Sequence, residues 1–272
     1  MKPQAFDYAR PDSAADAVAL LADAGDDARI LAGGQSLMAV LNLRLAQPSV
    51  LIDISRVPDL DYVRRDAGML AIGAAATQGS VEWRARLAEE VPLLAQAFPH
   101  ISHFQIRNRG TVCGSIAHAD PSAELPLCLL ALGGQVVLRS RGGRRTVAAD
   151  DFFQGMLMTA RRPDELVEEA RYPLAEPGVR YAFEEFAGRH GDFAICAVAA
   201  LVRPDGIRLA VGGVSDRPRI KAWGRIAGAD LDAAINDFAW ELGAKDDHHD
   251  SAKFRRQLVR HLGRTAIEKA ST

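Results

Sequence analysis

The sequence predicts an α+β protein of two or three modest units, and three observations carry that class. Short apolar runs alternate with helical spacing through residues 4–54, strand pairs separated by turn residues follow in the middle, and two long helical stretches close the chain. Residues 4–8 are a short strand candidate. Residues 13–24 read as a helix with apolar positions at Val18, Leu20 and Leu21, and Ser13 followed by Asp16 resembles a capping box with Asp in place of Glu. Residues 29–32 and 50–54 are buried strands, with the helical spacing of residues 36–45 between them. Residues 61–65 and 69–73 flank Asp66-Ala67-Gly68, a hairpin signal. Helical stretches at 80–88, 92–98 and 123–131 lead to a second hairpin, 135–139 with 144–147, turning at Arg141-Gly142-Gly143. Residues 166–172 are the last strand before a linker candidate at 173–178 (PLAEPG). Beyond it, strands at 194–202 and 206–211 turn at Pro204-Asp205-Gly206, and helices at 230–242 and 251–269 end the chain.

Bulk properties remove several function classes. The 272 residues are 48% hydrophobic and 25% charged, enough apolar content for a core without staples. The net charge of −2 leaves no basic excess to neutralise a phosphate backbone, so nucleic-acid binding is not expected. Three scattered cysteines, Cys113, Cys128 and Cys196, without a C-x-x-C pair, argue against a disulfide framework and fit a reducing compartment. They also fall short of the roughly four closely spaced thiolates that an iron–sulfur cluster needs. The N-terminus has no apolar leader region, and no stretch approaches the ~18 apolar residues of a membrane span, so a cytoplasmic location without an integral membrane segment is expected.

Two polar loops carry the chemistry. In Ile30-Leu31-Ala32-Gly33-Gly34-Gln35-Ser36-Leu37 a buried strand ends, two glycines permit a tight turn, and a helix opens at once. Such a junction points unpaired N–H groups and the positive end of a helix dipole outward, which suits phosphate. Alone, it reads as readily as a plain strand–turn–helix junction. The second loop, Thr111-Val112-Cys113-Gly114-Ser115, runs into His118-Ala119-Asp120-Pro121-Ser122, where Asp120 and Ser122 can cap the coming helix. Two such loops far apart in sequence suggest one ligand with an extended polar middle. No G-x-G-x-x-G follows the first strand, and no P-loop, G-x-S-x-G or H-E-x-x-H occurs. His100 and His103 have no partner at ligand spacing, and His248-His249 within DDHHD reads as solvated surface loop rather than a metal site. Cys113 reads as a small tolerated side chain rather than a redox thiol.

At these loops the sequence closely resembles the FAD-binding medium subunit of molybdenum hydroxylases, the group of the carbon monoxide dehydrogenase medium chain and the flavin domain of xanthine dehydrogenase. The matching stretches are AGGQSLMAVLNLRLAQPSVLIDIS (32–55), IRNRGTVCGSIAHADPSAELP (106–126), PDELVEEARYP (163–173), GRHGDFAICAVAA (188–200) and DDHHDSAKFRRQLVRHLGRTAIEKA (246–270), which together cover nearly the whole chain. The resemblance implies a vanillyl-alcohol-oxidase (PCMH)-type FAD-binding fold. Two α+β subdomains, 1–56 and 57–175, would hold FAD between them. A C-terminal domain, 178–272, of a three-stranded antiparallel sheet with a helix bundle would cover the flavin end. It also implies two partners, a [2Fe–2S] iron–sulfur small subunit and a molybdopterin-containing large subunit, in a dimer of heterotrimers. Electrons would arrive from the clusters and leave to an external acceptor.

Carried over by motif, Leu31, Ala32, Gly33, Gly34, Gln35, Ser36 and Leu37 would hold the pyrophosphate. Thr111, Cys113, Gly114 and Ser115 would hold the phosphates and nearby ribose from the other side, and Asp120 and Glu124 would lie near the sugar and adenosine. Phe193 falls where relatives place an aromatic beside the isoalloxazine, although a core aromatic is the equal alternative. Some positions depart from the pattern. Cys113 replaces a glycine and adds a Cβ where backbone approaches phosphate. Arg161 stands where relatives often have leucine, Glu185 where some have lysine, and Gly188 where arginine is common. Two other readings stay open: a self-sufficient flavin oxidoreductase with its own substrate, for which His118 and Glu185 are the only hints of a base, and a homologue that has lost FAD.

Overall fold

The computed structural model describes residues 2–247 and 250–272. The His248-His249 pair, expected in a solvated surface loop, lies outside the described residues. The chain begins with a parallel sheet of β1 (Asp7–Ala9), β2 (Ala28–Leu31) and β3 (Val50–Asp53), in the order β1-β3-β2. Parallel neighbours require crossovers, which α1 (Ala14–Ala24) and α2 (Leu37–Asn42) supply. Helix α1 buries Ala14, Ala17, Val18 and Leu21, the spacing of one helical face. Leu20, read as one of the helix's apolar positions, lies off that stripe and is 37% exposed. Ser13 caps α1 by accepting from Asp16 N–H, and its hydroxyl donates to Asp16 Oδ2 at 2.6 Å. The α2 helix is shorter than the expected 36–45, because Arg44 turns left-handed (φ 57°) just beyond Leu43.

The second unit is an antiparallel sheet fed by short helices. Strands β4 (Val63–Asp66) and β5 (Met69–Gly73) make the first hairpin. Helices α3 (Gln78–Glu82), α4 (Leu87–Glu90), α5 (Pro92–Ala97), α6 (Phe104–Arg107), α7 (Val112–His118) and α8 (Glu124–Leu132) follow. Strands β6 (Gln135–Ser140) and β7 (Gly143–Ala148) form the second hairpin. After it come α9 (Ala149–Phe152) and the small pair β8 (Phe153–Gly155) and β9 (Met158–Thr159). Strand β10 (Leu166–Pro173) then inserts between β5 and β6, giving the order β4-β5-β10-β6-β7.

Where three C-terminal strands are expected, the sheet has four: β11 (Arg180–Ala187), β12 (Ala194–Arg203), β13 (Gly206–Gly212) and β14 (Arg219–Gly224). The two strands that the sequence did not announce are the edges, whose charged residues mask the alternation. Helices α10 (Gly228–Glu241) and α11 (Ala252–Ser271) pack on one face, and α8 packs on the other. Strand β12 is therefore apolar in both directions. Ala197, Ala199 and Leu201 join the core shared with the rest of the chain, while Cys196, Val198 and Ala200 join the core under α10 and α11. Among the described residues no helix is long and apolar enough to cross a membrane.

Candidate functional site

The first loop leaves the end of β2 and enters α2. Gly34 has φ +72°, which only glycine adopts without strain, and Gly33 approaches the second loop so closely that a Cβ would lie 2.2 Å from Arg109 O and 2.6 Å from Gly110 Cα. The two loops, 76 residues apart between Gly33 and Arg109, are thus in direct backbone contact. Leu31, Ala32, Gly33, Gly34 and Leu37 are half-buried, and Gln35 and Ser36 are exposed. Gln35 folds back, its Nε2 donating to Gly33 O at 2.9 Å, so it shapes the loop. The Ser36 side chain makes no capping hydrogen bond to α2.

The second loop is a helix start. Thr111 caps α7, its Oγ1 accepting from Gly114 N–H at 3.0 Å, and Gly114 and Ser115 are half-buried. Cys113 faces inward. Its Sγ donates to Ile72 O at 3.3 Å, and burial pushes the thiol up. The added Cβ therefore occupies core, where the sequence had suggested interference with a phosphate. A third segment, which the sequence reading passed over, completes the wall. Thr77 bridges Thr111, Gln78 N–H donates to Gly110 O at 2.7 Å, and Gln78 Oε1 is buried without a hydrogen-bond partner. The run Ala74-Ala75-Ala76 before Thr77, all small and buried, was the available signal.

The remaining expected residues divide into separate groups. Asp120 holds the turn before α8 by accepting from Ser122 N–H at 2.8 Å; it does not cap the helix, whose N-cap is Ala123. Glu124 is the first residue of α8 and is buried. Arg161 is tied into its own loop, donating to the carbonyls of Arg162, Pro163 and Glu165 at 2.9–3.2 Å. Burial and then Arg29 hold its guanidinium below the usual value. Glu185, in β11, stands instead beside His100, its Oε1 3.9 Å from Nδ1. Phe193 is 71% exposed, which rules out the core-aromatic alternative. His118 ends α7, half-buried, ahead of a left-handed Ala119. Among the described residues no group of three or more metal-binding side chains converges, and the three cysteines are free and buried.

The chain that carries these loops matches a known family. The model of the FAD binding domain in molybdopterin dehydrogenase matches residues 4–175. The 6-hydroxypseudooxynicotine dehydrogenase complex subunit alpha of Paenarthrobacter nicotinovorans is 38% identical over 99% of this chain and 96% of its own length. Caffeine dehydrogenase subunit beta of Pseudomonas sp. (strain CBB1) is 37% identical over 100% of this chain and 96% of its own. A chain of carbon monoxide dehydrogenase from Hydrogenophaga pseudoflava superposes with a TM-score of 0.93 at 33% identity, covering 99% of this chain and 98% of that one. The chain belongs to the FAD-binding family of molybdopterin dehydrogenases: it is a flavoprotein oxidoreductase subunit with the fold of the carbon monoxide dehydrogenase medium chain. The residues present fit FAD, since the loop contact leaves no room for a Cβ at Gly33 and the wall keeps an unpartnered buried acceptor at Gln78.

Proposed function

We propose that this chain is the electron-relaying member of a multi-subunit dehydrogenase, taking electrons from a [2Fe–2S] partner and passing them to an external acceptor. A molybdopterin-containing large subunit would be the second partner, in a dimer of heterotrimers, in the cytoplasm. The bound FAD would supply reversible electron acceptance. The chain's part is to bind and insulate it, with 1–56 and 57–175 on either side of the cofactor and 178–272 against one end.

In this reading Leu31, Ala32, Gly33, Gly34, Gln35, Ser36 and Leu37 grip the pyrophosphate through backbone N–H groups. Thr111, Cys113, Gly114 and Ser115 close on it from the other side. Cys113 contributes only backbone, because its thiol is committed to Ile72 O. Asp120 and Glu124 lie toward the sugar, and Arg161, Glu185 and Phe193 toward the flavin. The single observation that carries the reading is the contact of Gly33 with Arg109 and Gly110, which brings the two loops together.

The test is direct. The purified chain should take up FAD and absorb near about 450 nm, as the cofactor does. Gly33→Ala should force the loops apart at about 1–3 kcal/mol, lowering FAD affinity by about ten- to a hundredfold in an equilibrium titration. A folded chain that stays colourless in excess FAD overturns the proposal, and so does a Gly33→Ala variant that binds like the parent. Co-purification with an iron–sulfur protein and reduction of the flavin through it test the relay itself.

A further inference from the structure

Helix α3 and the residues just before it run along the second glycine loop and hold it at several points. Gln78 N–H donates to Gly110 O at 2.7 Å and Val112 N–H donates to Ala76 O at 3.4 Å, so Thr77 and Thr111 face each other in a short antiparallel pairing. One residue on, Gly79 lies so close to Asn108 that a Cβ would stand 2.6 Å from its Oδ1. At the far end of α3, Glu82 accepts from Arg107 Nε at 2.7 Å and Nη2 at 2.8 Å, with both side chains largely buried. Arg107 Nη1 donates in turn to Ile101 O at 2.7 Å and Ser102 O at 3.2 Å. Residues 107–112 are thus braced by α3, and within them Arg109 and Gly110 make the contact with Gly33.

The pairing decides where one donor points. In a trans peptide the C=O and the N–H that follows it point in opposite directions. With Gly110 O turned onto Gln78, Thr111 N–H points away from residues 76–78. Thr111 is 4% exposed, and its N–H has no hydrogen-bond partner among the described residues. Buried backbone donors are almost always paired, so a free one next to the Gly33 contact is a donor held for a ligand. The Gln78 side chain points the same way. It is 7% exposed, its Nε2 donates weakly to Thr111 O at 3.5 Å, and its amide lies over the bare face of Gly110, where a Cβ would meet Nε2 at 3.3 Å and Cδ at 3.4 Å. Its Oε1 is buried without a partner. For packing alone, methionine would fill that space without an unpaired acceptor. The amide is kept at some cost to the fold, which is the mark of a residue retained for a site.

We propose that Gln78 is a positioning residue for the cofactor: through Gly110 and Thr111 it fixes the second loop so that Thr111 N–H is presented to the pyrophosphate of FAD. The inference rests on FAD binding at the two glycine loops. Gln78 acts through the loop and not by touching the cofactor. Its task is to stop the Gly110–Thr111 peptide from turning over, a rotation that would replace the donor with a carbonyl oxygen and set that oxygen against a phosphate. Gly110 has no side chain to restrict it, so the restraint falls where the loop turns most readily. The Glu82–Arg107 pair keeps α3 fixed to the same loop while it does so.

The test uses the full chain, titrated with FAD and with ADP, which carries the pyrophosphate and lacks the flavin. Gln78→Met should lower FAD affinity about three- to tenfold, the size of one lost hydrogen bond, and lower ADP affinity by the same factor. It should leave the urea midpoint of the FAD-free chain unchanged or raised, since it removes an unpaired buried acceptor. Gln78→Pro deletes the N–H that holds Gly110 O, yet proline suits the first position of a helix, so α3 keeps its start; affinity should fall about tenfold or more. With threonine as the isotope-labelled residue type, the Thr111 amide NMR resonance should move downfield when either ligand is added to the parent, and move less in both variants. A Gln78→Met chain that binds FAD and ADP like the parent overturns the proposal. So does a loss for FAD with none for ADP, or a loss matched by a lower urea midpoint, which is what a packing role would give. A Thr111 resonance that ignores both ligands overturns it as well. A parent chain that takes up no FAD overturns the underlying reading instead, and that failure is seen before any variant is compared.

Discussion

The segment of β10 and the junction of β11 with α8 both take glutamate side chains out of water and shift them in opposite directions. Glu165, just before β10, and Glu168 and Glu169 within it are 3%, 5% and 3% exposed, against 7% for Glu124, while the side chain of Glu185 is 2% exposed. In the first set every carboxyl meets a cation. Arg145 holds Glu165 with two bonds of 2.6 and 2.7 Å, and Arg139 and Arg144 converge on Glu168. Arg64, Arg171 and the Tyr62 hydroxyl surround Glu169. Burial alone would raise Glu165 and Glu168, but the guanidiniums outweigh it and hold both below the ordinary carboxylate value. At the junction no cation opposes burial, and the backbone hydrogen bond at Glu124 does not outweigh it, so Glu124 and Glu185 rise. Among these glutamates the direction of the shift follows whether a guanidinium meets the carboxyl.

The largest expected effect comes from breaking the paired set. Arg145→Met should leave the buried Glu165 carboxyl without its cation and cost about 1–3 kcal/mol in urea unfolding. A loss below about 1 kcal/mol would mean that the frame of paired charges contributes little. The next effect separates the two groups by pH. Glu165 and Glu168 have lowered values in the folded chain, so their stabilisation is present above the ordinary carboxylate range and is lost as pH falls through their folded values. Glu185 has a raised value, so its contribution is full below the ordinary range and is lost as pH rises toward about 8. Glu185→Gln should therefore flatten the alkaline side of the stability profile and leave the acid side unchanged. An identical alkaline slope in the variant would remove Glu185 from the account. The smallest effect is a control: Arg86→Ala breaks an exposed i,i+3 pair with Glu89 and should shift stability by about 0.3 kcal/mol.

Much of the fold was readable because local chemistry announces it. The stripe of α1, the turn Asp66-Ala67-Gly68 and the glycine pair at 33–34 each carry their own signal. Strands β11 and β14 did not, since edge strands trade apolar alternation for charge. The site was half legible. Its two loops stood out as motifs, whereas Thr77 and Gln78 joined them only through a bridge to Thr111 and a bond to Gly110.

By itself, the sequence determined the family, the cofactor and the positions of the two glycine loops, because glycine turns and helix starts are properties of consecutive residues. The tertiary structure decided what those residues face. It turned Cys113 toward Ile72 and exposed Phe193. It seated Gly33 on Arg109 and brought His100 and Glu185 together from distant segments. Side-chain direction and the pairing of buried charge depend on neighbours far along the chain, and composition and spacing hold no record of them.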